Sequence, residues 1–314
     1  MPQWKIMITD GLEENGQQIL RQSAEVVDAR GITADDLLKT IGEYDAVIVR
    51  SRTKITAAVF QAAGKKLKVV GRAGVGVDNI DLAAAQAHHV TVVNSPTATT
   101  IAVAELTLGM MLALVRELPR ADASMKAGKW LKKELEGTEL YEKVLGIIGI
   151  GRIGKSVAHR AAAFGMKIIA TDPLVKPDDV KQLGIELVSL DDLCARADFI
   201  TLHLPLTPET HNMINADRIA KMKPGVRIID IARGGTIDEE ALLAALDAGH
   251  VAGAALDVFA TEPPGATALV CHPHVVVTPH IGAQSIEAQQ RAAVDIATEI
   301  LAALNGEPLR WKVA

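Results

Sequence analysis

Residues 144–172 constrain what this 314-residue chain can fold into more than any other stretch. An apolar run, 144–148, enters Gly149-Ile150-Gly151-Arg152-Ile153-Gly154. A helical pattern follows to Phe164, Gly165 closes it, and a second apolar run, 167–171, ends on Asp172. Strand, glycine turn, helix, strand and terminal acid, in that order, make a dinucleotide-binding βαβ unit. Gly149 permits the tight turn, Gly151 lets a pyrophosphate approach the backbone, and Gly154 lets the helix pack close to the strand. The helix start at Arg152 and Ile153 offers free N–H groups and the positive end of a dipole to phosphates. Asp172 stands where a carboxylate accepts both ribose hydroxyls and repels a 2′-phosphate, which favours NAD over NADP.

Alternation of apolar runs and helical patterns continues on both sides. Before the glycine unit, runs at 5–9, 25–28, 46–50, 67–71 and 90–94 alternate with helical patterns at 14–22, 34–43, 57–63 and 82–88. Regular alternation implies a parallel sheet with helices on both faces. Asn94-Ser95-Pro96 ends this set, and Thr99 or Thr100 caps a long apolar helix expected to reach about Leu118. A loop at 126–137 leads to residue 144. After it come runs at 199–204, 226–231, 252–258 and 275–278, with helices expected at 215–222 and 238–248. A last helix, 285–304, is long enough to return to the first sheet. The expected fold class is therefore α/β with two doubly wound parallel-sheet domains. A Rossmann domain, 99–284, is inserted into a discontinuous flavodoxin-like domain, 1–98 and 285–314, and ligands are expected in a cleft between them.

Composition narrows the partners. A formal charge of −5 argues against nucleic acid and anionic membrane surfaces. An anionic small molecule would need locally placed arginine or lysine. The apolar segment 101–115 contains Glu105 and is shorter than the ~18–20 residues that span a bilayer. No secretory leader pattern is visible at the start, and two distant cysteines, Cys194 and Cys271, give no disulfide framework, so a cytoplasmic location is expected. Cys271, His272 and His274 match no standard zinc spacing, and no metal is expected.

Several phrases combine into a more specific signal. They are Val69-Val70-Gly71-Arg72-Ala73-Gly74-Val75-Gly76-Val77-Asp78-Asn79-Ile80-Asp81, the glycine turn, Ile231-Ala232-Arg233-Gly234-Gly235, Ala255-Leu256-Asp257-Val258-Phe259, Glu262-Pro263-Pro264 and Thr278-Pro279-His280-Ile281-Gly282-Ala283. Together, in this order and over essentially the whole chain, they resemble the D-2-hydroxyacid dehydrogenase family, and within it the phosphoglycerate dehydrogenases. The resemblance implies NAD-dependent oxidation of D-3-phosphoglycerate to 3-phosphohydroxypyruvate, the first step of serine synthesis. Glyoxylate/hydroxypyruvate reductase or another D-2-hydroxyacid dehydrogenase, such as a D-lactate type, is the alternative. An NAD-sensing scaffold is a more distant one, against which the intact Arg–Glu–His set argues. The chain ends near Ala314, so a C-terminal regulatory domain and serine feedback are not expected.

The chemistry fits these residues. Oxidation moves a hydride from C2 while a base takes the hydroxyl proton, a task suited to imidazole. His280 is the candidate base. By the resemblance Glu262 hydrogen-bonds the other ring nitrogen, fixing the tautomer and stabilising the imidazolium. Arg233 supplies a planar fork for the substrate carboxylate. The resemblance adds Leu204, Pro205, Ile231, Ala232, Asp257, His280, Gly282 and Ala283 to the cofactor contacts. It assigns Arg50 and Arg72 to the substrate and gives the carboxylate the backbone N–H groups of Ala73, Gly74, Val75 and Gly76. Val75 and Leu204 stand where relatives often carry threonine, so neither is expected to contribute a side-chain hydrogen bond. Lys132 and Lys133 lie in a segment that in relatives reaches the neighbouring subunit, although a solvated loop is the simpler reading. A homodimer or homotetramer follows from the family alone.

Overall fold

A computed structural model describes residues 3–314. The chain divides into two compact units, one formed by residues through Thr100 together with Ala283–Ala314, the other by Ile101–Gly282. In the first unit β1 (Trp4–Ile8), α1 (Glu14–Arg21), β2 (Ala24–Asp28), α2 (Ala34–Thr40), β3 (Ala46–Val49), α3 (Ala57–Ala63), β4 (Val69–Arg72), α4 (Leu82–Ala87) and β5 (Thr91–Asn94) alternate. The chain enters the second unit along α5 (Thr100–Val115) and α6 (Leu118–Lys126), then forms β6 (Val144–Ile148), α7 (Arg152–Ala163), β7 (Lys167–Thr171) and β8 (Glu186–Leu187). It continues through α8 (Leu190–Arg196), β9 (Phe199–Leu202), α9 (Ala216–Ala220), β10 (Val226–Asp230), α10 (Glu239–Asp247), β11 (Val251–Leu256) and β12 (Val275–Val277), and returns to the first unit as α11 (Ile286–Asn305).

Both sheets are parallel throughout. The first has order β2-β1-β3-β4-β5, the flavodoxin-like arrangement, with its switch point between β1 and β3. The second runs β12-β11-β10-β9-β6-β7-β8, the dinucleotide-binding order extended by one strand, with its switch point between β6 and β9. Parallel strands covered on both faces must be apolar at successive positions, because alternate side chains enter opposite layers. In β1, Ile6 and Ile8 join the layer of Ile296 and Ile300, whereas Met7 points into the layer of Phe60 and Val70. In the second unit Leu145 and Ile147 pack with Met111 and Phe199, and Ile148 packs with Ile200 and Ile228.

Local signals set several helix boundaries. Ser285 accepts from Ala288 N to start α11, and Gly306, at φ +73°, ends it. Asp238 accepts from the N–H groups of Glu240 and Ala241 to start α10. The expected single helix to about Leu118 is corrected. It stops at Val115, Glu117 adopts φ +48°, and a new helix begins at Leu118-Pro119, where proline suits the first turn. The short pair β8 and α8 also falls where no element was expected; Ser189 caps α8 through Asp192 N. Among the described residues, no helix is long and apolar enough to cross a membrane.

Candidate active site

The glycine turn leaves β6 at the switch point of the second sheet, beside the loop that follows β9. Gly149 has φ +91°, and a Cβ there would lie 2.4 Å from the His203 carbonyl oxygen. A Cβ on Gly154 would lie 2.2 Å from the Gly149 oxygen, so the start of α7 closes tightly on its own turn. Over Gly151 the space is open. These three environments match the turn, the ligand approach and the close packing that a dinucleotide site needs. Arg152 and Ile153 open α7. Asp172, just past β7, is fixed by two backbone donors: Ile150 N to one oxygen and Leu174 N to the other, both at 2.9 Å. The turn and the acid are therefore one hydrogen-bonded assembly. Leu204 and Pro205 follow β9, with the Leu204 side chain next to Gly149.

Three further loops of the same unit, after β10, β11 and β12, lie side by side because their strands are neighbours. The last carries His280, whose Nδ1 is 2.8 Å from Oε2 of Glu262. The other Glu262 oxygen accepts from Phe259 N at 3.2 Å. Nδ1 thus donates to the carboxylate, and Nε2 is the nitrogen left as acceptor. His280 has φ +54°, which is uncommon outside glycine and asparagine. Asp257 holds that turn. Fully buried, it accepts from Thr278 Oγ1 at 2.6 Å and from the N–H groups of Ile281 and Gly282 at 2.8 Å. Ile231 lies against Gly282, where an added Cβ would meet its side chain at 3.1 Å.

Arg233 sits on the loop after β10, half-buried, with Nη1 donating to the Ala232 carbonyl at 2.6 Å. Gly234 lets this loop touch the Glu262 loop, since a Cβ there would lie 1.8 Å from the Phe259 oxygen. Asp230, 2 % exposed, is the centre of the Arg233 turn. Its oxygens accept from Ala232 N at 2.8 Å and Thr236 Oγ1 at 2.6 Å, and Thr236 Oγ1 is also 2.9 Å from the Arg233 carbonyl. Burial raises the Asp230 carboxyl to about 7, against the opposing pull of Thr236, the Ala232 amide and the Arg233 charge. When ionised, it accepts a hydrogen bond from the Thr236 hydroxyl; when protonated, it donates to Thr236, whose hydroxyl turns to the Arg233 carbonyl.

A folded value above the unfolded one means that ionisation opposes folding. The cost is absent well below pH 4, grows towards pH 7 and saturates above it, at about 4 kcal/mol. Asp230→Asn keeps an acceptor for Ala232 N and a donor for Thr236 while removing the charge. Its melting temperature relative to the parent should rise from pH 5 to pH 8; a difference that does not change with pH contradicts the burial cost.

The substrate residues proposed from sequence lie in the first unit. Arg50 follows β3 and Arg72 ends β4, both at the carboxyl end of the sheet. Two amides of the expected carboxylate cradle already have partners within this unit. Ala73 N donates to Val49 O at 3.0 Å and Gly74 N to Arg72 O at 2.8 Å. Ala283 also belongs to this unit. Lys132 and Lys133 are exposed in a turn.

Comparison with known proteins settles the family. Residues 108–282 match the profile of the D-isomer specific 2-hydroxyacid dehydrogenase, NAD binding domain. The chain belongs to the D-isomer specific 2-hydroxyacid dehydrogenase family. It is 49 % identical over 309 residues to a D-3-phosphoglycerate dehydrogenase of Synechocystis, which covers 98 % of this chain and 56 % of that protein. The chain thus spans about half the length of the curated relatives it matches. A Thermus thermophilus structure superposes with a TM-score of 0.91 at 36 % identity, over 99 % of this chain and all of that one. A D-lactate dehydrogenase of Aquifex aeolicus, solved with NAD and lactic acid, gives 0.83 at 32 % identity over 96 % of both chains.

For a member of this family, two residues absent from the sequence expectations stand out. Asp230 and Thr236 tie the arginine turn together. An acid inside the otherwise largely apolar run 226–231 is the available signal for the first of them. Asp257 was expected at the cofactor, and the structure shows what else its carboxylate does: it anchors the His280 turn.

Proposed function

We propose that this chain is an NAD-dependent D-3-phosphoglycerate dehydrogenase, converting D-3-phosphoglycerate to 3-phosphohydroxypyruvate at the entry to serine biosynthesis. The observation that carries the chemistry is the 2.8 Å bond between His280 and Glu262, on a loop adjoining that of Arg233. His280 Nε2 accepts the C2 hydroxyl proton, while Glu262 holds the ring and balances the imidazolium. Arg233 grips the substrate carboxylate and draws charge towards the forming carbonyl. Gly149, Gly151, Gly154 and Asp172 hold the dinucleotide, with Leu204, Pro205, Ile231, Ala232, Asp257, Gly282 and Ala283 around it. When bound, NAD supplies the hydride acceptor. Arg50 and Arg72 take the phosphate, and Val75 and Gly76 N–H groups assist at the carboxylate. The same reading makes the enzyme a cytoplasmic homodimer or homotetramer.

The phosphorylated substrate rests on the relatives; a competing reading rests on a specific contact. Arg50 is already ion-paired with Glu13 at 2.5 Å, which favours an unphosphorylated acid, as in a glyoxylate/hydroxypyruvate reductase or a D-lactate-type enzyme. NADH consumption with 3-phosphohydroxypyruvate, hydroxypyruvate and glyoxylate decides between them. One or two charge-assisted bonds to phosphate, at about 1.5–3 kcal/mol each, predict an advantage of at least about tenfold in kcat/KM for the phosphorylated acid. Equal or better activity on the unphosphorylated acids overturns the phosphoglycerate assignment and leaves the dehydrogenase assignment standing.

A further inference from the structure

The switch point of the first sheet carries a compact charged cluster. Asp10 and Glu13 follow β1, and Arg50 and Arg52 follow β3, so the two pairs meet where a doubly wound sheet opens its ligand crevice. Asp10 is the structural member. It accepts from Arg50 N at 2.8 Å, Thr53 N at 3.1 Å, Thr53 Oγ1 at 2.6 Å and Arg52 Nε at 3.1 Å. Burial pushes its carboxyl up, but the Thr53 and Arg50 hydrogen bonds and the Arg52 charge together hold it below the usual range. Arg52 is also spent inside the cluster, donating to the Thr9 and Ile32 carbonyls.

Glu13 differs from Asp10. It makes no capping bond to α1, although it occupies the cap position, and instead reaches Arg50 Nη2 at 2.5 Å. The Arg50 side chain is 19 % exposed and that of Glu13 34 %, so the pair sits at the surface of the crevice. Asn79 Nδ2 holds the Arg50 carbonyl at 2.8 Å, and Arg50 Nε is buried with no hydrogen-bond partner among the described residues. The Arg50 backbone is held by Asn79, and its guanidinium is bound through Nη2 by the Glu13 carboxylate. Two carboxylates face two guanidiniums, leaving no net positive charge for an incoming anion.

We propose that Glu13 is a specificity-determining residue: its carboxylate occupies Arg50 as an internal competitor that a second anionic group on the substrate, a phosphate ester, must displace. This rests on the reading that Arg50 receives such a group. A substrate bearing only the 2-keto carboxylate has no need of Arg50 and is unaffected by the competition. A phosphorylated one must break the Glu13–Arg50 pair, and Glu13 then stands beside it as a like charge.

The test uses Glu13→Gln, which keeps the size of the side chain and removes its charge. Inorganic phosphate is titrated calorimetrically into the parent, Glu13→Gln and the double variant Glu13→Gln/Arg50→Ala, at about 50 mM and 500 mM salt. The expected result is binding about tenfold tighter in Glu13→Gln at low salt, a smaller gain at high salt, and none in the double variant. In turnover, the KM for 3-phosphohydroxypyruvate should fall by about the same factor, with that for hydroxypyruvate within twofold of the parent. Equal phosphate affinity in parent and Glu13→Gln, binding by neither, or a gain that survives loss of Arg50 overturns the role of Glu13. Absence of turnover on every 2-keto acid would instead overturn the dehydrogenase reading, and the phosphate titration still decides on Glu13.

Discussion

Replacement of His280 by alanine should lower kcat for 2-keto acid reduction by roughly 10²–10⁴-fold, the usual contribution of a positioned general acid–base group. The fall should appear in kcat, with NADH affinity within a few fold of the parent, because the glycine turn and Asp172 lie on other loops. Alanine is strained at the φ of +54° that His280 adopts. His280→Asn is therefore the companion variant: asparagine tolerates this conformation, yet its amide neither takes nor gives the proton. Both variants should lose turnover alike. Parent-like turnover across pH in His280→Asn would show that another group moves the proton.

Arg233→Ala should be the second large loss, divided between KM and kcat. A guanidinium fork makes two charge-assisted bonds to a carboxylate, at about 1.5–3 kcal/mol each, so kcat/KM should drop by roughly 10²–10⁴-fold. The contrast with His280→Asn is diagnostic, since the histidine variant leaves substrate affinity largely intact. Arg233→Lys should recover little, because a lysine cannot reproduce the planar two-pronged contact. Saturation kinetics for the 2-keto acid at fixed NADH separate the two terms. An Arg233→Ala enzyme with an unaltered KM would remove the carboxylate from this arginine's task.

The glycine unit was legible because most of what it needs is local, the approach of the His203 carbonyl to Gly149 being the exception. Gly149 and Gly154 are required by a turn and a contact made within six residues, and Asp172 is found by counting one strand onward. The candidate catalytic residues were legible in another way. His280, Glu262 and Arg233 share no spacing that chemistry alone would single out; resemblance brought them forward, and geometry then supplied the 2.8 Å bond between two of them. Other features left weak traces. The break between α5 and α6 depends on Glu117 entering the left-handed region, which its residue type does not announce. The use of the Ala73 and Gly74 amides inside the protein depends on how β3 and β4 end.

Sequence by itself determined the alternation of strands and helices, the βαβ unit with its glycines, and the residue types available for hydride chemistry. All of these follow from periodicity, from backbone conformations that few residues allow, and from side-chain reactivity. Tertiary structure alone decided which groups became partners. Strand order laid the loops after β10, β11 and β12 together, which turned Asp230 into the hub of the arginine turn and Asp257 into the anchor of the histidine turn. The same rule, in the other sheet, joined Glu13 to Arg50 across 37 residues. Hydrogen bonds and ion pairs depend on distances of a few ångströms, and for residues so far apart in sequence only the packing of the sheets sets those distances.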